Sequence, residues 1–77
     1  MSDIHPAPDE ATEAELATDP ILRFFHYAHL PEKLRAVSQP FGALAFHLVR
    51  HLPRSPERTV ALRKLLEAKD AAVRSAL

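Results

Sequence analysis

The 77-residue chain has no cysteine, a single glycine and no apolar run near the ~20 residues that span a bilayer. Without cysteine there is neither a disulfide staple nor a thiol nucleophile. The lone glycine, Gly42, excludes glycine-rich phosphate loops, which need several glycines for close backbone approach. The serines lie outside any nucleophile-elbow pattern, so hydrolytic catalysis is not expected, and no cofactor is implied. There is no charged n-region followed by an apolar h-region, and a soluble protein without membrane attachment is expected.

Bases are missing from the first 19 residues, which hold Asp3, Asp9, Glu10, Glu13, Glu15 and Asp19 for a net charge of −6. The remainder carries all ten Lys and Arg against four acids, a net +6. A basic folded part behind an acidic tail points to an anionic ligand or surface, with the tail solvating it or competing for it. At this length one core is only marginally stabilising, so association with further copies is the expected source of extra stability.

The punctuation predicts an all-α fold. Residues 1–18 offer little to bury beyond Ile4 and Leu16 and are expected to form an acidic, disordered tail, with at most a helical turn over residues 11–17. The helical domain then occupies residues 19–77. Asp19 caps a short first helix that starts at Pro20 and continues to Pro31. A second helix starts near Pro31, with Leu34, Val37, Phe41, Leu44, Leu48 and Leu52 spaced by three and four. Pro40 predicts a kink there, loosened further by Gly42. Ser55 at the N-cap, Pro56 at the first position and Glu57 in the first turn start a third helix that runs towards Leu77. The short link between the two long helices predicts an antiparallel helical hairpin. Such a small fold cannot hide Phe24, Phe25, Tyr27, Phe46 and Val49 as well as its own seam, so several are expected between protomers of a homo-oligomer.

Candidate ligand residues follow from chemistry. Arg58, with Arg54 and Thr59 at the end of the hairpin, can hold phosphate if brought near the segment FFHYAHL, whose Phe25, Tyr27 or His29 can stack on a nucleobase. Phe24 is assigned to core packing. Lys69 continues the row Leu62, Leu66, Lys69, Val73, so its ammonium snorkels to the edge of the seam or enters a cavity. In the cavity it would converge with Arg63 or Arg74 of symmetry-related copies on one anion. Otherwise Arg63 with Glu67 and Asp70 with Arg74 have the spacing of helical ion pairs. His47 with His51, and His26 with His29, have metal-ligand spacing, but no HExxH glutamate accompanies them and no metal is expected.

The blocks FFHYAHLPEKLRAVSQPFGALA and HLPRSPERTVALRKLLEAKDAAVR, within residues 20–76, resemble small phage-encoded helical-hairpin proteins akin to the anti-CBASS and anti-Thoeris sponges. The resemblance implies a compact oligomer in the host cytoplasm that sequesters a cyclic nucleotide second messenger between protomers. That messenger would be a cyclic oligonucleotide or a cyclic ADP-ribose isomer, held without degradation. The competing class is a small protein- or nucleic-acid-interaction module using the basic face of the third helix. Duplex reading is disfavoured, because no short recognition helix of a helix-turn-helix is visible.

Overall fold

The computed structural model describes residues 11–77. They form helix α1 (Glu13–Thr18), a 3₁₀ segment (Pro20–Phe25), helix α2 (Glu32–His51) and helix α3 (Pro56–Ser75), with no strand among the described residues. The all-α expectation holds, and no described helix is long and apolar enough to cross a membrane.

Helix α1 exists because Thr12 and Glu15 form a reciprocal capping box. The Glu15 amide donates to Thr12 Oγ1 at 3.2 Å and the Thr12 amide to Glu15 Oε1 at 3.0 Å. Six residues are too few to hold a helix unaided. The Glu15 carboxylate supplies the anchor by receiving a forked pair of hydrogen bonds from Arg50 of α2, at 2.7 and 2.8 Å. Arg50 in turn lies over the Phe46 ring, 5.5 Å from its centroid. Residues 11–18 are therefore part of the folded unit and not of a loose tail, with Ala11 buried in the core and Leu16 packed against it. Residues 1–10 of the expected tail lie outside the described residues.

The Arg50 hydrogen bond, assisted by Thr12 and opposed by partial burial, lowers the Glu15 pKa from 4.5 to about 2. A carboxyl depressed in the folded state stabilises it fully above the unfolded value, and that contribution disappears as pH falls through the folded value. The stability gap between wild type and Glu15→Gln, open at pH 7, should thus close between about pH 4.5 and about 2. Denaturation followed by circular dichroism at several pH values measures it. A gap that stays constant to pH 2 would show that the Arg50 clamp does not stabilise the fold.

The expected first helix is corrected. It is helical only over Pro20–Phe25, with 3₁₀ winding, and the chain leaves it at His26 (φ −63°, ψ 140°). The reason is the burial pattern. Leu22 and Phe25 are three apart, which stacks them on one side of a three-residue turn. Tyr27, two residues further on, is buried too, and an α-helix would place it on the side opposite Phe25. Passing from 3₁₀ to extended backbone at His26 is how all three go inside. Phe24, assigned to the core from sequence, is consequently turned out and 60 % exposed, whereas Phe25 is fully buried.

Helix α2 runs unbroken through Pro40. Gly42 is buried, and its role is contact, not looseness. A Cβ there would lie 3.1 Å from the Phe25 carbonyl oxygen and 3.5 Å from Tyr27 Cδ1, so the bare backbone lets the 3₁₀ segment sit on α2. Gly42→Ala should accordingly fail to deliver the ~1 kcal/mol that alanine normally gains over glycine inside a helix. A urea melt showing that full gain would mean that the contact yields at no cost.

Helix α3 begins as expected, with Ser55 Oγ accepting from the Arg58 amide at 3.0 Å and Pro56 in the first turn. α2 and α3 make the most extensive contact between elements, and the 3₁₀ segment touches α1, α2 and α3. Leu22, Phe25, Ala45, Phe46 and Leu62 form the core where they meet. A single chain therefore hides Phe25, Tyr27 and Phe46 by itself, contrary to the expectation that several of these need a second protomer. Among the described residues, Phe24, Leu44, Leu52, Val60 and Leu77 are the large apolar side chains left exposed.

Candidate functional site

The basic end of α3 does not meet the aromatic segment. It meets Asp19. Arg58 is only 6 % exposed; its Nη2 donates to Asp19 Oδ1 at 2.5 Å and its Nη1 to the Leu52 carbonyl at 3.0 Å. Arg54 adds bonds to Asp19 Oδ1 at 3.3 Å and to the Thr18 carbonyl at 2.9 Å. The Thr59 hydroxyl donates back to the Ser55 carbonyl at 3.3 Å. Asp19, Arg54, Ser55, Arg58 and Thr59 do line a depression of about 300 Å³, but a carboxylate of the chain itself already takes its two guanidinium groups. Arg58 thus ties α3 to Asp19 and to the end of α2. Phe25 and Tyr27, both buried, are not open to stacking.

A second arrangement gathers what the sequence kept apart. Arg23 and Phe24 at the end of the 3₁₀ segment, His26, His29 and Leu30 after it, and Lys69, Asp70, Val73 and Arg74 on α3 line an open cleft of about 360 Å³. Of the expected ligand residues, His29, Lys69 and Arg74 are here, Thr59 is at the other end of α3, and Arg63 is exposed and lines neither hollow. The ion pairs explain the cleft's charge. Asp70 pairs with Lys69 at 2.9 Å instead of with Arg74, and Glu67 pairs with Lys64 at 3.7 Å instead of with Arg63. Arg23 and Arg74 are left without a carboxylate partner among the described residues, and Lys69, 14 % exposed, reaches the rim with its stem covered.

The chemistry on offer is recognition. Two forked cations and an ammonium against a single carboxylate favour an anion, Phe24 brings an exposed aromatic ring, and Leu30 and Val73 add apolar lining. Among the described residues no group of three His, Cys, Asp or Glu could hold a metal ion. The His47 and His51 rings lie against each other, with centroids 4.3 Å apart and planes tilted by 33°.

No family model, curated protein or solved structure matches this chain.

Arg23, Phe24, His26 and Asp70 were not among the ligand residues expected from the sequence, where His26 was weighed only as a metal ligand. Burial at positions 22, 25 and 27 is the signal that would have turned Phe24 outward and carried Arg23 with it. For α1 the signal was the Thr12 and Glu15 spacing of a capping box.

Proposed function

We propose that the protein binds and sequesters a cyclic nucleotide signal without catalysis, as a helical hairpin assembled with further copies of itself, in the manner of the phage sponges it resembles. The observation that supports this reading is the cleft between the 3₁₀ segment and α3, where an exposed aromatic ring stands among Arg23, Lys69 and Arg74. Arginine forks hold phosphate oxygens and the Phe24 face stacks on a base. A volume of about 360 Å³ lies at the small end of the ~300–1,000 Å³ usual for ligand sites. One chain therefore cradles one end of a cyclic dinucleotide, and a neighbouring copy closes the other.

Native mass spectrometry of the protein with cyclic di- and trinucleotides and cyclic ADP-ribose isomers tests the reading. A discrete oligomer retaining one ligand at fixed stoichiometry, released intact on denaturation, is the expected result. An assembly that retains none, or a ligand recovered hydrolysed, would end it. Arg74→Ala should weaken retention by roughly tenfold or more, as loss of a charge-assisted hydrogen bond of ~1.5–3 kcal/mol requires, with the thermal midpoint little changed because the Arg74 side chain has no carboxylate partner among the described residues.

A further inference from the structure

We infer that His47 and His51 of α2 form half of a zinc site, which a second copy of the chain completes with the same two side chains. Neither histidine lines the cleft, so the site stands independently of the reading above. The two residues are four apart, which puts them one above the other on a single face of the helix. Both are exposed, and their ring centroids are 4.3 Å apart with planes tilted by 33°. Two imidazoles on one zinc ion, with Zn–N bonds of ~2.0–2.1 Å at a tetrahedral angle, have centroids roughly 5 Å apart. Opening the pair by under about 1 Å brings both rings onto one ion, a shift within the ordinary motion of exposed side chains.

One chain supplies too few ligands. Leu48, Val49 and Arg50 stand between the histidines, and no third His, Cys, Asp or Glu joins them among the described residues. Structural zinc is almost always four-coordinate, so two imidazoles leave two positions to fill. A two-fold axis through the ion fills both, because it presents the same pair from a second chain. Leu44, three residues before His47 and 47 % exposed, is on that face and supplies apolar contact where the two helices cross. Nearby charge does not oppose the cation. Arg50 is held by Glu15 at 2.7 Å and Arg54 by Asp19 at 3.3 Å, so each adjacent guanidinium already has its counter-charge. Neither imidazole forms a hydrogen bond or ion pair with a described residue, so zinc displaces no internal partner. With all four positions taken by imidazole, the ion ties chains together and holds no reactive water. Imidazole also suits zinc and not magnesium, which takes oxygen ligands.

The test uses the full chain, stripped of metal with EDTA and titrated with zinc chloride or magnesium chloride. Calorimetry and native mass spectrometry should give one zinc per two chains and no uptake of magnesium. Sedimentation over a dilution series should show that saturating zinc lowers the protein concentration at which copies separate by roughly tenfold or more, as mass action requires of an ion held only by the pair. His47→Ala and His51→Ala should each abolish both effects while keeping the helical circular dichroism of the wild type, since both side chains are exposed. If either variant does not fold, the wild-type ring resonances decide, because zinc should move those of His47 and His51 and leave those of His26 and His29 in place. No zinc uptake, one zinc per chain without tighter assembly, uptake that persists in a folded variant, or ring shifts confined to other histidines would each overturn the shared site.

Discussion

Arg58→Ala is expected to cost about 3–5 kcal/mol of folding stability, the range seen when one member of a buried ion pair is removed. Both partners are largely withdrawn from water, with side-chain exposures of 6 % for Arg58 and 13 % for Asp19. Removing the guanidinium leaves the carboxylate to Arg54 alone, whose own side chain is 69 % exposed, and orphans the Leu52 carbonyl at the end of α2. Small domains have stabilities of about 5–15 kcal/mol, so the loss is a large share of the total. Arg58→Lys should recover only part, since one ammonium does not reproduce two separately aimed N–H donors. Chemical denaturation of Arg58→Met, Asp19→Ala and the double variant measures the coupling. If the double variant is destabilised by the sum of the single losses, the pair is not the tie described here.

Phe25→Ala and Phe24→Ala should separate stability from binding at adjacent, chemically identical side chains. Phe25 is fully buried in the core beside Leu22 and Phe46, and its truncation should cost ~3–5 kcal/mol with a cavity left behind. Phe24, mostly exposed in the cleft, should change stability by less than about 0.5 kcal/mol. Its truncation should reduce cyclic-nucleotide retention by roughly 5- to 150-fold, corresponding to base stacking at ~1–3 kcal/mol. Thermal melts and ligand titrations on the same two variants give all four values. Unchanged binding in folded Phe24→Ala would remove the ring from the site.

The two long helices were legible because their signals are local. Ser55 and Pro56 start α3 where they must, and the three-four spacing of Leu34, Val37, Phe41, Leu44 and Leu48 carries α2 through Pro40. Residues 20–30 were not legible, because two windings share them and only packing against Gly42 decides where one gives way to the other. The same holds for the site. Nothing in the spacing of Arg58 announces a carboxylate 39 residues earlier, and Lys69 and Arg74 could be placed beside His29 only once the 3₁₀ segment was seen to lie against α3. Charge totals pointed to an anion, but which cations remain free for it depends on partner choice. Asp70 took Lys69 and released Arg74.

The change of winding at His26 also makes this stretch intolerant of altered chain length. Deleting one residue between Leu22 and Tyr27 would leave no path by which both still reach the core with a phenylalanine between them on the same side. One added residue would carry a ring out of the interior or drag a cation in. Substitution here can be graded and local, whereas a single-codon insertion or deletion would exchange inside for outside and erase fold and cleft together.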